Sequence, residues 1–384
     1  MADFTYKANT FVLENRYVTY SELGLTPPLY TPGYLFAWGD NGVGQLGDGT
    51  NYRESSPVQI GSLTNWNQIS GGNEYTTAIK TDGTLWSWGV NTFGQLGNST
   101  LIHRSSPVQV GSLTNWYQIS SGESHSLAIK TDGTLWSWGF NTAGKLGDGT
   151  RTLRSSPVQV GSLTNWSQAS AGATHSLAIK TDGTLWAWGS NTNGQLGDST
   201  LIHRSSPVQV GSLTNWSQVA AGGFSIIGYS LSIKTDGTLW AWGDNQYGNL
   251  GLGNITNQSS PVQVGSLTNW TQVAAGSSHS LAIKTDGTLW AWGYNFWGQL
   301  GDGTITAKSS PVQIGLLTNW SQISCNVNHS LAIKTDGTLW AWGSNTRGQL
   351  GDGTITHRSS PVQIGSLTIW NKISAGSEHS LALT

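Results

Sequence analysis

Short apolar runs recur along this chain at strand length, each closed off by glycine, proline, asparagine or aspartate. Between Trp116 and Val160 the runs read WYQIS, HSLAIK, TLWSWG and SPVQV. β-Branched and aromatic residues dominate them, which suits pleated strands and not helices. Asp132-Gly133, between the second and third runs, predicts a tight hairpin, because such residues tolerate positive φ. Asn141 to Thr150, punctuated by glycine, predicts a longer loop before the fourth run. Pro157 opens that run and suits an outer edge, where a missing N–H costs no ladder bond.

The four-run unit then repeats. The Trp-Gly pair at Trp38 returns at Trp88, Trp138, Trp188, Trp242, Trp292 and Trp342, in steps of 50 residues with a single step of 54. SSPVQ occurs seven times, and KTDGTLW six times from Lys80 onward. Repetition at this period means a stacked or radial array, and four short strands per unit predict an all-β, seven-bladed propeller. The last unit stops at HSLALT (His379 to Thr384), after its second strand. Its third and fourth strands are supplied by YLFAWG (Tyr34 to Gly39) and SPVQI (Ser56 to Ile60), so the final blade is expected to mix both ends of the chain. Such closure leaves no open sheet edge. The predicted organisation is an N-terminal arm over 1–33 and a propeller over 34–384.

Of the 21 tryptophans, 20 recur at fixed places in the unit, and only Trp297 has no counterpart. Charged residues make up 10% of the chain, with a net charge of -2. No basic stripe is present of the kind that neutralises phosphates, so no nucleic-acid partner is expected. No apolar stretch approaches the ~18 residues of a membrane span, and the polar N-terminus lacks the apolar core of a secretion signal. The single cysteine, Cys325, rules out an internal disulfide.

Candidate chemistry is sparse. Histidines open the second strand at His125, His175, His279, His329 and His379, with Tyr75 and Tyr229 in the other two blades. A metal would need several of them to converge on one point. Around a ring they diverge, and each is expected to hydrogen-bond within its own blade. His103, His203 and His357 fall in the long loops and are expected to be solvated, as are Lys80 and Asp82 with their copies. Asp48, Asp148, Asp198, Asp302 and Asp352 read as turn formers, since a calcium loop needs several close oxygen ligands. The GQLGDG strings lack the GKS or GKT of a phosphate loop. No catalytic, cofactor or metal residue is assigned.

WGVNTFGQLG (Trp88 to Gly97), SSPVQV, and AGATHSLAIKTDGTLW (Ala171 to Trp186) together resemble the regulator-of-chromosome-condensation repeat family. The resemblance covers 34–384 and implies a seven-bladed propeller with this same split blade. Members implied by it include an exchange factor for a small GTPase, a plant UV-B photoreceptor and an inhibitor of β-lactamases, so fold does not fix function. The exchange factor's protruding wedge, the photoreceptor's tryptophans before the second strand and the chromatin-bound member's basic tail are all missing here.

What every blade carries is what folding needs; distinct function should sit where blades differ. The loops after Trp-Gly differ most, and departures cluster in three consecutive blades. Phe224, Ile226, Ile227, Tyr247, Tyr294, Phe296 and Trp297 are expected to form one apolar partner-binding patch. Phe4, Tyr6, Phe11, Tyr17 and Tyr20, with TPPLYTPG (Thr26 to Gly33), suggest an anchoring arm. The outward-facing composition without a secretion signal points to a structural or adhesive virion component, such as a phage tail, fibre or decoration subunit. Its partners would be other subunits of a large assembly, with a host receptor or glycan as further candidates. The alternative is a soluble propeller regulator or inhibitor, cytoplasmic, that grips one protein partner on its variable face.

Overall fold

The computed structural model describes residues 33–384, together with the backbone of two short strands, Thr10–Leu13 and Arg16–Thr19, which pair antiparallel. The chain divides into two compact units, Met1–Pro32 and Gly33–Thr384. The second is a ring of seven four-stranded antiparallel sheets. Blade 2 is typical: Trp116–Ser121, His125–Lys130, Leu135–Gly139 and Arg154–Gln159 run from the centre outward. Pro157 sits in the outermost strand, at a register shift. The final blade is the expected hybrid, in the order Lys372–Ala375, His379–Leu383, Leu35–Gly39, Glu54–Gln59. Leu35 lies opposite Leu383 and Gly39 opposite His379.

The core lies between blades, because each sheet buries its apolar side chains against the next. Leu127, Ile129 and Leu135 of blade 2 pack on Trp166, Ala178 and Trp188 of blade 3. Trp188 is fully buried, with its ring centroid 6.3 Å from that of Trp166. Its indole N–H donates to the carbonyl of Lys145 in blade 2 at 2.9 Å. The same bond recurs in all seven blades, from Trp38 to Gln349 O through Trp342 to Gln299 O. Glycine is required beneath it: a Cβ on Gly97, whose φ is +69°, would stand 2.7 Å from Trp138 Nε1.

A second rail runs around the central channel. The Ser120 hydroxyl accepts from Ala171 N at 3.0 Å and the Gln118 side chain from Ala169 N at 3.0 Å, satisfying N–H groups on the exposed edge of the next inner strand. Blades 4 and 5 carry Ala220 and Ala274 where Ser120 stands in blade 2. Their channel wall is correspondingly more apolar.

The KTDGTLW motif also has a physical account, and it corrects an expectation. Asp132 Oδ1 accepts from Thr134 N at 2.9 Å and from its hydroxyl at 2.6 Å; Thr134 Oγ1 in turn accepts from Trp136 Nε1 at 2.9 Å. Lys130 is buried, not solvated. Its ammonium lies 3.7 Å from the Trp136 ring centroid and 4.8 Å from that of Trp116. Burial pulls its pKa down, and the contact with the ring face offsets part of that cost.

Replacing one of the seven inter-blade tryptophans should therefore destabilise the whole ring. Trp292→Ala is expected to cost about 3–5 kcal/mol, read as a lowered urea midpoint in a single cooperative transition. A loss under about 1 kcal/mol would show that the inter-blade contact is not what holds the blades.

Candidate functional site

The strand-opening histidines form a belt, but between blades and not within them. His125 Nε2 stands 2.9 Å from Ser176 Oγ of the next blade. The pattern continues as His175–Ser230, His279–Ser330, His329–Ser380 and His379–Thr76, at 2.9 to 3.1 Å. Ser176 Oγ donates to Lys145 O at 2.8 Å, on the carbonyl that also takes the Trp188 indole. With that proton committed, the serine oxygen must accept from His125. The ring is therefore the neutral Nε2–H tautomer, and its Nδ1 is buried without a partner. Tyr75 and Tyr229 do the same work differently: each phenol donates to a carbonyl of the next blade, His125 O and His279 O, at 2.6 Å. Among the described residues no three histidine, cysteine, aspartate or glutamate side chains converge as metal ligands would.

The loop histidines are not free either. His103, His203 and His357 each accept a backbone N–H, from Asn91, Asn191 and Asn345, at 2.9 Å. The loop aspartates form turns as expected: Asp148 Oδ1 accepts from Thr150 N and its hydroxyl, while Oδ2 pairs with Arg154 at 2.8 Å. Cys325 is buried beside the channel, and burial pushes its thiol pKa up.

The variable loops carry a continuous aromatic row. Tyr247 of blade 4 meets Tyr294 of blade 5 with centroids 4.8 Å apart. Tyr294 stacks near-parallel to Phe296 at 6.4 Å, and Phe296 meets Trp297 edge-on at 4.8 Å. Trp297 then covers His357 of blade 6 at 4.7 Å, a loop histidine expected to be solvated and not counted in the patch. Phe296 remains 56% exposed at the centre of the row.

Phe224, Ile226 and Ile227 belong elsewhere. They sit on a hairpin extension of blade 4, with Phe224 opposite Ile227 and Ser225-Ile226 at the tip. The tip is tied to blade 2 by a bond from Ser225 N to Glu123 Oε2 at 3.1 Å. Phe224 lines the central channel, and Ile226 lines a separate cleft over the loops of blades 1 to 3. That cleft holds the Phe93–Phe140 pair, centroids 4.5 Å apart, and the buried Lys145. The available signal was GKLG at 144–147, where five other loops read GQLG. Phe4, Tyr6 and Tyr20 lie outside the described residues; of Phe11 and Tyr17 only the backbone pairing, Val12 opposite Tyr17, is described.

The repeat profile described as "Regulator of chromosome condensation (RCC1) repeat" matches at 32–79, 82–129, 132–179, 182–227, 236–283, 286–333 and 336–383. The chain belongs to the RCC1 repeat family. Among solved structures, human WBSCR16 superposes with a TM-score of 0.81 at 23% identity, over 91% of this chain and 98% of that one. Yeast RCC1 (Prp20) in complex with Kap60 gives 0.81 at 20%, over 92% and 89%. Saccharomyces cerevisiae Prp20p, reported with its binding to Gsp1p and histones, gives 0.80 at 21%, over 92% of both chains. A comparison with curated protein sequences finds no match. At these identities the structures establish the fold.

The RCC1 assignment overturns the virion expectation and the virion location that went with it. That expectation rested on composition without a secretion signal. The repeats match the RCC1 repeat throughout, and the well-superposing structures given above are yeast RCC1 (Prp20) and WBSCR16. No helix among the described residues is long and apolar enough to cross a membrane.

The histidine belt sets a pH dependence. Burial pulls His175, His279 and His329 down to about 3 and His379 to about 4, from an ordinary value of 6.5. Below pH 6.5 the unfolded chain binds these protons and the folded ring does not, so stability falls as pH drops. The slope is about 1.4 kcal/mol per pH unit for each histidine. His329→Tyr, which copies the Tyr75 and Tyr229 blades, should stay folded at pH 7.5 and lose about 1.4 kcal/mol less between pH 6 and 5. Urea unfolding at the three pH values reads this; an unchanged acid slope would contradict the neutral belt.

Proposed function

We propose that this RCC1-repeat propeller is a non-catalytic regulator that grips one protein partner on its loop face. The observation that carries the reading is the row Tyr247–Tyr294–Phe296–Trp297–His357. Blade symmetry does not require it, since the positions matching Phe296 and Trp297 are Gly42 and Val43 in the final blade and Thr192 and Asn193 in blade 3. Clustered, part-exposed aromatics ringed by polar residues are the usual composition of a binding hot spot. Prp20, of the same fold, is solved with a protein partner bound, which supports this class of activity here.

The strand-opening histidines and Cys325 are engaged in the fold. Each strand-opening histidine is buried and neutral, with Nε2 committed to the next blade. The Cys325 thiol is buried and its ionisation opposed, which removes the thiolate that nucleophilic chemistry needs.

Affinity capture from cells of the source organism, with the wild-type chain and a Phe296→Ala/Trp297→Ala variant, tests the proposal. The variant should keep the wild-type unfolding midpoint and lose the captured partner, with affinity falling about 30-fold or more. Unchanged capture by a folded variant would remove the loop-face assignment.

A further inference from the structure

The cleft over blades 1 to 3 has a volume of about 770 Å³, within the range of sites that enclose a side chain or small ligand. It is a built feature. The hairpin that edges it exists only in blade 4, and its tip holds Ser225 at φ +57° while bonding to Glu123. Phe93 and Ile226 offer apolar surface to the cleft, at 36% and 78% exposure.

Its charge is net negative: two carboxylates face one buried lysine, Lys145. Glu74 and Glu123 line it. Burial, together with the nearby carboxylates of Asp40 and Glu378, pushes Glu74 up in pKa. Burial pushes Glu123 up as well. A carboxylate in this position is short of positive charge. The neighbouring cations offset this only in part: Lys145 draws Glu123 back down, but burial outweighs it. Arg347 is engaged with Glu378 at 3.2 Å and Asp40 at 4.0 Å. Lys145 is 3% exposed and donates to Ser124 Oγ and Ala173 O, both at 3.0 Å, against the Phe140 ring. It closes the floor and offers no free ammonium to a ligand.

We propose that this cleft receives an arginine side chain from the partner protein, its guanidinium against Phe93 and facing Glu74 and Glu123. A planar, weakly hydrated cation suits an aromatic wall with carboxylates beside it better than an ammonium does. The proposal rests on the reading that the loop face holds a protein partner, and it adds the chemistry that face selects.

The test uses a fluorescent Gly-Arg-Gly-Arg-Gly peptide, with Gly-Lys-Gly-Lys-Gly, Gly-Glu-Gly-Glu-Gly and free argininamide as comparisons, titrated into the full chain at low salt. The arginine peptide should bind most tightly, and added salt should weaken it. Glu74→Gln/Glu123→Gln should lower its affinity about tenfold or more, while the glutamine at 123 keeps an acceptor for Ser225 N. Glu74→Lys, at a turn, gives a second variant should the first fail to fold. Equal affinity for the glutamate peptide, no binding, or full binding by the Gln/Gln variant would each overturn the proposal. Argininamide binding as tightly as the peptide would also overturn it, in favour of a small-amine site. Loss of the captured partner on Phe296→Ala/Trp297→Ala alongside failure of the peptide arm would sink the cleft and leave the loop-face reading standing.

Discussion

One backbone carbonyl per blade holds this ring together. Gln45 O, Gln95 O, Lys145 O and their copies each accept an indole N–H and a serine or threonine hydroxyl from the following blade. In five blades the preceding histidine leans on that same hydroxyl. A four-stranded sheet alone leaves both apolar sides uncovered, so its stability comes from the neighbours it packs on. The carbonyl fixes where the following neighbour sits, and tryptophan supplies the buried area. Because every blade depends on the next, an open ring would leave two blades half covered. The hybrid blade removes that weakness by drawing both ends of the chain into one sheet.

Much of this was legible in the residues. Strand order, the tight Asp-Gly turn and the split blade follow from local pattern and from where the last repeat stops. The histidine bonds were misassigned for a reason rooted in periodicity. The partner of His125 is Ser176, 51 residues on. In a 50-residue repeat a contact to the next blade's serine looks the same as one to Ser126 beside it. Lys130 was misjudged because its charge suggested water, whereas its stem and ammonium lie along two indole rings, a contact that charge counting does not register.

The site divides in the same way. Tyr294, Phe296 and Trp297 share one loop, so their proximity follows from sequence alone. The course of the blade 4 hairpin does not: its tip crosses to blade 2 through a bond spanning 102 residues, set by tertiary geometry that no local signal encodes. The cleft it edges was foreshadowed only by a lysine in a glutamine's place. Gln95 accepts the N–H of Phe93. Lys145 has no acceptor to offer, and Ala143 in its loop takes φ +61°. Both regions lie where the repeats stop agreeing, on a scaffold the repeats keep rigid.

Native-state hydrogen exchange across the hybrid blade tests the central claim most directly. If the ring is shut there, amides of Leu35–Gly39 and His379–Leu383 should exchange as slowly as those of His125–Lys130 and Leu135–Gly139, through global unfolding alone. Fast exchange at both terminal strands, with the middle blades still protected, would mean the ring stands open and that closure is not what holds it.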